Sequence, residues 1–463
     1  MSVIEGTGVV LDTRVEDRRR RAAALERRRE TAFALGWLAG TGTIAFMLAS
    51  GTVDVTTVPG FLTTLGRLAG IVASTTILCQ LILIGRIPWV ERYVGHDKAA
   101  RLHGQLGRMG FLFILAHLVF IVTGYALSTR SGVLDQAWSL VVDYGGPMFL
   151  AWAGFILLTA VVVTSLALMR SRWSYEDWHV VHLFAYVAIG FSVPHQFTDG
   201  STFREMGWGW WYWLVLWTVA VGGLLVFRVI RPLVLLRRHD LRVAALDRLA
   251  DGSIVVTMSG RDLTRLGPRP GQFLLFRFLD RERWAQAHPY SLSRAPLDGW
   301  LRITVKPLGD GSAGLANLRV GTRVMVEGPL GTMTEDSRAG DHLVLAGAGV
   351  GITPVLALLE GAAYRPGECT VIVRASSIAE APHLDEIRAI ATARGARLYE
   401  LIGHRGASWG AAGAEAPLPV LVPEIAGADV YACGPEAWAD ALLAEARACG
   451  VSEDRLHREE FVW

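Results

Sequence analysis

Apolar residues are unevenly spread along this chain. Between residues 32 and 236 they gather into six stretches, roughly 32–49, 60–85, 105–127, 147–169, 180–194 and 208–230. Most approach the ~20 residues with which a helix crosses a ~30 Å hydrocarbon layer, so the pattern predicts six transmembrane helices. The fifth stretch is short unless it starts near Tyr175 and runs through His195. After Arg237 the texture changes. Between about Asp240 and Met333, runs such as "SIVVTMS", "QFLLFRF", "LRITVKP" and "TRVMVEG" are divided by Gly and Pro, the pattern of a small antiparallel barrel. Then "HLVLAGAGVGITPVLALL" reads as an apolar strand, a glycine-rich turn and a helix, which opens an α/β Rossmann-like unit. The expected fold is multi-domain. It has a basic segment over 1–31, a six-helix transmembrane bundle over 32–236, an antiparallel β-barrel over 237–337 and an α/β nucleotide-binding domain over 338–463.

Composition adds little to this, and charge adds orientation. The 463 residues suffice for two or three domains, and the formal net charge of +2 singles out no class of partner. The distribution of charge says more. "RVEDRRRRAAALERRRE" holds eight arginines against four acids, too long and too charged for a secretory signal. A solvated cytoplasmic helix beside the first span accounts for it better than a nucleic-acid-binding run. Arg86, Arg92, Lys98 and Arg101 lie between the second and third stretches, Arg170 and Arg172 between the fourth and fifth, and Arg228, Arg231, Arg237 and Arg238 after the sixth. The opposite loops, near 50–59, 129–146 and 196–207, are poor in Lys and Arg. By the positive-inside rule the chain is a multi-pass protein of the cell membrane with both termini cytoplasmic. Cys79, Cys369, Cys433 and Cys449 form no CxxC pair, and all but Cys79 fall in the cytosolic half, so no disulfide is expected.

Histidines inside the spans carry the first chemistry, because ionisable residues there are costly and mark functional positions. His103 and His117 are fourteen residues apart. Fourteen residues of helix rise ~21 Å and turn ~1400°, ~40° short of four turns, so the two share a face at two depths. The fifth stretch offers His179, His182 and His195, and the thirteen residues from His182 to His195 rise nearly as far. Helices running the same way then set His103 level with His182 and His117 level with His195, each pair able to clamp one heme iron. A straight helix would leave the second pair ~140° out of phase. Pro194 supplies a break beside His195. His179 lies nearer the cytoplasmic side and has no counterpart on the third stretch. Two stacked b-type hemes would bridge most of a bilayer for electrons, and a six-coordinate heme has no open site. Arg101 and Arg108 are candidates for the propionates.

The second half holds motifs for an electron source. "AHPYSLSRAP" brings together His288, Pro289, Tyr290 and Ser291, and "VKPLGDGSAGL" sets Lys306 before Gly311 and Ser312. A flat flavin can pack on the tyrosine ring while hydroxyl, backbone amides and cations hold its phosphates. Gly347, Gly349 and Gly351, followed by Thr353 and Pro354, permit close backbone approach at a helix N-terminus that attracts a pyrophosphate. Their G-x-G-x-G spacing departs from the dinucleotide fingerprint. The later "VYACGPEAW" and the final "EEFVW" strengthen the reading.

These residues carry a family resemblance. The second half resembles the ferredoxin–NADP reductase-type module with FAD and NAD(P) domains, in HPYS, GAGVGITP, CGP and the terminal Trp463. The first half resembles the ferric reductase-like transmembrane domain. Together they are similar to bacterial flavocytochromes of the ferric reductase and NADPH oxidase superfamily. His288 stands where family reductases often have Arg and the oxidase branch often has His, and Ser312 replaces a commoner Thr.

The resemblance implies hydride transfer from NADPH or NADH to FAD, then single electrons through two b-type hemes, on His103 with His182 and His117 with His195, to a ferric chelate or dioxygen outside. It also implies Cys433, Gly434 and Pro435 at the nicotinamide; the terminal indole of Trp463, with Phe461 as the fallback ring, either stacks on the flavin or merely closes the domain. Separately, "VRASS" at Val373–Ser377 after the second strand offers Arg374, Ser376 and Ser377 either to a 2′-phosphate or to solvent as a loop. The partners expected are NAD(P)H, a small acceptor and the lipid bilayer, with no obligate protein partner. Two alternatives stand beside this: a heme-bearing membrane subunit serving quinone or a periplasmic partner, and a membrane-anchored flavin reductase poor in heme.

Overall fold

The computed structural model describes residues 13–143, 145–166, 173, 175–200, 202–203, 207–284, 286–297, 299–307, 310–406, 408–412 and 417–459. Phe461 and Trp463 lie outside them. The chain divides into two compact units, one of Thr31–Ile87 with Lys98–Phe227, the other of the described residues before Thr31, Pro88–Asp97 and those from Arg228 on.

The helices run α1 (Thr13–Ala49), α2 (Val58–Ile84), α3 (Pro88–Tyr93), α4 (His96–Thr129), α5 (Val133–Val142), α6 (Gly146–Ser165), α7 (Tyr175–Ser192), α8 (Pro194–Thr198), α9 (Trp208–Leu225) and α10 (Arg231–His239). Among the described residues, five helical stretches are long and apolar enough to cross a membrane: Val58–Ile84, Lys98–Thr129, Gly146–Ser165, Asp177–Thr198 and Trp208–His239. The apolar part of α1, Ala34–Ala49, is shorter. Local signals set several ends. Thr57 caps α2 by accepting from the Gly60 N–H at 3.1 Å, with Pro59 in the first turn. A π-turn at Val226–Ile230 joins α9 to α10 just before Pro232, which has no N–H to give to the regular ladder.

Helices α2 and α4 approach through glycines. A Cβ on Gly66 would stand 2.8 Å from Ile121, one on Gly70 2.7 Å from His117, one on Gly110 2.6 Å from Thr76 and one on Gly124 2.6 Å from Thr63. The partner's number falls as the first rises, so the pair is antiparallel, and small residues on both helices let the backbones close up.

In the other unit, strands β1 (Arg242–Arg248), β2 (Ile254–Ser259) and β5 (Trp300–Val305) form one antiparallel sheet. Strands β4 (His288–Ser291), β3 (Phe273–Phe278) and β6 (Val324–Leu330) form a second. Isolated bridges Arg242↔Arg323 and Leu292↔Ile303 link them. Val256, Met258, Phe276, Ile303 and Val326 share the core between them. A five-stranded parallel sheet follows, ordered β11 (Leu456–Glu459), β10 (Ala428–Cys433), β7 (His342–Ala348), β8 (Cys369–Ala375), β9 (Arg397–Ile402). It is accompanied by α11 (Ile352–Gly361), α12 (Leu384–Arg394) and α13 (Glu436–Ala448). Strands β7, β8 and β10 are buried at every position, which explains their continuous apolar sequence. Strand order reverses between β7 and β10.

Candidate functional site

Of the four histidines expected to pair, His103 and His182 meet ring to ring, and His117 and His195 line one cavity. The rings of His103 on α4 and His182 on α7 lie 6.1 Å apart between centroids, at 75°. A metal about 2 Å from each coordinating nitrogen puts two coaxial imidazole centroids roughly 6 Å apart, so this spacing admits one ion between the rings. His117 and His195 line one cavity of about 240 Å³, together with Gly70, Ala73, Gly154 and Arg67.

Hydrogen bonds assign the ring protons. His117 Nδ1 lies 2.8 Å from the Gly66 carbonyl on α2; a carbonyl only accepts, so Nδ1 carries the proton and Nε2 keeps its lone pair. Ser165 on α6 donates its hydroxyl proton to Val161 O at 2.7 Å, accepts from Trp178 Nε1 at 3.2 Å and stands 3.3 Å from His182 Nδ1. With the hydroxyl proton committed, His182 Nδ1 donates, and its Nε2 is also left as a lone pair. Holding one ring nitrogen by a hydrogen bond is how proteins orient an imidazole toward a metal. Trp178 stacks on His182, 5.0 Å between centroids.

His195 sits beyond a break rather than on a continued helix. Val193 N–H bonds Gly190 O at 3.4 Å and Gln196 N–H bonds Val193 O at 3.1 Å, spacings of three residues that overwind the chain by roughly 20° per residue relative to an α-helix. That recovers part of the phase lost between His182 and His195. Gln196 then ties α8 down, accepting from Trp213 Nε1 at 2.9 Å and donating to Ser192 O at 3.1 Å. Gly66, Ser165, Trp178 and Gln196 were not found from sequence. The signal available was the four-residue spacing of Gly66 and Gly70 on the span before His117.

In the second unit the HPYS segment is β4, paired with β3 so that Tyr290 faces Leu274 and His288 faces Phe276. Tyr290 packs beside Phe276 and His288, each 6.2 Å away between ring centroids, and burial pushes its phenol up from the ordinary value. Pro289 is half-buried. Ser291 is 4% exposed, and its Oγ has no hydrogen-bond partner among the described residues. Such a buried orphan is open to a hydrogen bond from outside the chain, from a water or a ligand atom. Lys306 directly follows β5; Gly311 and Ser312 lie in the short helix Asp310–Ala313.

The glycine loop and the CGP turn meet at the carboxyl ends of β7 and β10, where strand order reverses, the position at which open α/β sheets bind ligands. A Cβ on Gly351 would collide with the Cys433 carbonyl, and one on Gly347 would stand 2.9 Å from Ile352 Cα. Gly349 has φ +55°. Thr353 donates to Val350 O at 2.9 Å, bracing the loop from inside, and Pro354 is buried behind it. Cys433 is fully buried, which pushes its thiol well up. Gly434 is half-buried and Pro435 exposed. Arg374 corrects the expectation for a 2′-phosphate. It is 6% exposed and its Nη1 donates to the carbonyls of Ala375 and Leu401, while its Nε has no partner among the described residues. Ser376 and Ser377 remain exposed at the end of β8.

Compared with known proteins, residues 69–193 match the family described as ferric reductase like transmembrane component. The chain is 33% identical over 205 residues to the ferredoxin reductase component of 3-ketosteroid-9-alpha-monooxygenase from Mycolicibacterium smegmatis, covering 42% of this chain and 56% of that one. It is 25% identical over 294 residues to ferric reduction oxidase 7, chloroplastic, of Arabidopsis thaliana, covering 58% and 36%. The chain thus spans about half or less of the length of these relatives. Among solved structures, the flavohem-like FAD/NAD binding domain of nitric oxide dioxygenase from Vibrio cholerae aligns with TM-score 0.40 and 24% identity, over 49% of this chain and 99% of that one.

Proposed function

We propose that this chain, a member of the ferric reductase-like flavocytochrome superfamily, moves electrons from NADH or NADPH through FAD and two b-type hemes across the membrane to a small acceptor, a ferric chelate or dioxygen. The observation that carries this reading is the close approach of His103 to His182 and the single cavity lined by His117 and His195, with the Nδ1 protons of His117 and His182 committed elsewhere. A heme between two imidazoles supplies one-electron transfer and offers oxygen no open position, and a flavin supplies exchange between a hydride and single electrons.

The chain's own residues hold and orient. His117 and His182 present Nε2, and Gly70 leaves a space beside His117 that a side chain would fill. Ser291 Oγ offers the flavin a hydrogen bond, Tyr290 a flat face, His288 an imidazole, Lys306 a cation, and Ser312 a hydroxyl. Gly347, Gly349 and Gly351 bring the backbone to the pyrophosphate, with Cys433, Gly434 and Pro435 beside the nicotinamide. With Arg374 turned inward, a 2′-phosphate would first meet Ser376 and Ser377, so NADH and NADPH both remain substrates of this reading. Its topology has six crossings, Ala34–Ala49 being the first, and both termini in the cytosol. Strands β1–β6 make the flavin barrel and β7–β11 the nucleotide domain. The test uses the full chain in sealed vesicles of known orientation. NAD(P)H on the cytosolic face should reduce an impermeant ferric chelate held on the other side, and activity only when both reagents share the cytosolic face would refute transmembrane transfer.

A further inference from the structure

Helix α5 carries three stripes, each at four-residue spacing. Leu134, Trp138 and Val142 are 84%, 70% and 56% exposed, whereas Gln136 and Leu140 are 7% and 4% exposed. Asp135, Ser139 and Asp143 form the third stripe, with Ser139 donating to Asp143 at 2.6 Å. At 100° per residue, the apolar stripe occupies about 0–80°, the polar stripe about 100–180° and the buried pair about 200–240°. The helix therefore faces three environments, and the protein supplies one of them. Gln136 accepts from the Thr129 and Ser131 hydroxyls at 2.9 and 3.1 Å, and Leu140 lines the cavity shared by His117 and His195. Water suits the polar stripe. The apolar stripe, three large side chains in a line, calls for a partner that is not water.

Position selects the partner. Helix α4 ends at Thr129 and α6 begins at Gly146, so α5 lies where two candidate spans leave the bilayer on one side. Those spans carry exposed apolar residues of their own, Val119 and Ile156 among them. We propose that α5 lies along the membrane–water boundary with Leu134, Trp138 and Val142 sunk between headgroups and acyl chains, so that lipid holds Leu140 over the histidine cavity. Helices of this kind bind through apolar burial plus attraction to anionic lipid. Helix α5 has no Lys or Arg and carries Asp135, so its hold rests on apolar burial alone. A tryptophan at this depth is at home.

This inference rests on α4 and α6 crossing the bilayer, and the test separates the two claims. Spin labels are attached to Leu134→Cys, Trp138→Cys, Asp135→Cys and Ser139→Cys in the full chain, with Val119→Cys and Ile156→Cys as mid-span controls and the unsubstituted protein as background. The protein is held in phosphatidylcholine nanodiscs. Labels at 134 and 138 should collide with oxygen rather than a water-soluble nickel chelate several-fold more than labels at 135 and 139, approaching the ratio at 156. Added phosphatidylglycerol should leave that ratio unchanged. Nickel access at 134 and 138 equal to that at 135 and 139, with 119 and 156 shielded, would overturn the inference while sparing the spans. Nickel access at 119 and 156 would overturn the spans and the inference together. Shielding that appears only with anionic lipid would overturn the claim that apolar burial suffices.

Discussion

Replacing Gly70 by alanine asks whether the α2–α4 contact positions an imidazole. The new Cβ would stand 2.7 Å from His117 Nδ1, whereas ordinary contact begins at 3.4 Å, so the ring must retreat by about 0.7 Å (3.4 minus 2.7). Gly66 and Gly70 are on the same helix, and a ring pushed from one is pushed from the other. The 2.8 Å bond to Gly66 O then stretches toward an upper limit of about 3.5 Å, reached when the retreat runs along the bond, where an N–H···O contact is no longer useful. A buried donor left unmade costs about 1–3 kcal/mol, overpacking adds about 1–3 kcal/mol, and loss of an orienting partner lowers metal affinity about 10–100-fold. The assay is retention of heme, read by pyridine hemochrome while apomyoglobin competes for it. Gly104→Ala, whose Cβ meets nothing within 4 Å, and Gly110→Ala, whose Cβ would stand 2.6 Å from Thr76 Oγ1, are the controls. Gly104→Ala should match the wild type, Gly110→Ala should lower the melting temperature yet keep its heme, and Gly70→Ala should release one heme about 10–100-fold faster. Equal retention in Gly70→Ala and Gly110→Ala would show that the glycine serves helix packing alone.

His117→Leu and His195→Leu should each halve the heme content while NAD(P)H still bleaches the flavin, and two hemes surviving in either variant would end the pairing. Ser291→Ala removes a buried hydroxyl without a protein partner, so FAD titration should show several-fold weaker binding, about the worth of one hydrogen bond. Burial pulls the Glu386 carboxyl upward, but hydrogen bonds from His383 and Arg302 hold it at about 2, below its ordinary 4.5. Its contribution, about 3 kcal/mol at most, is complete above pH 4.5 and fades as pH falls toward 2. Thermal midpoints of the full chain between pH 6 and 3 should therefore drop less steeply in Glu386→Gln, and parallel slopes would refute the link.

Much of this arrangement was readable in the sequence because it depends on periodicity. The five long apolar helices, the apolar runs of β2 and β5 and the buried run of β7 are properties of one segment at a time, whereas the sixth expected span has an apolar part, Ala34–Ala49, shorter than the other five. What escaped depends on which atoms of two segments meet. That Gly66 offers its carbonyl to His117 follows from the register of α2 on α4, and no single-segment pattern contains it. Arg374 occupies a position suited to a phosphate, but the side chain had two satisfactory fates, solvent or the carbonyls of Ala375 and Leu401, and the packing of β9 against β8 decided between them. Pro194 was legible as a break. The tightening of the chain over Gly190–Gln196 was not, since a proline signals the lost hydrogen bond and not what replaces it.

The glycine contacts between α2 and α4 have a consequence for membranes of different thickness. Helices packed on long, supple side chains can slide to match a thicker or thinner hydrocarbon layer, because each side chain finds a new rotamer. Here sliding by one turn would bring a Cβ where Gly66, Gly70, Gly110 and Gly124 now leave none. Spanning a bilayer as proposed, the pair would meet mismatch as one rod, by tilting, at a cost of fractions of a kcal/mol per Å. On the function proposed above, His117 would then keep its height on α2 in any bilayer, and the distance an electron must cover would be set by the protein and not by its lipids.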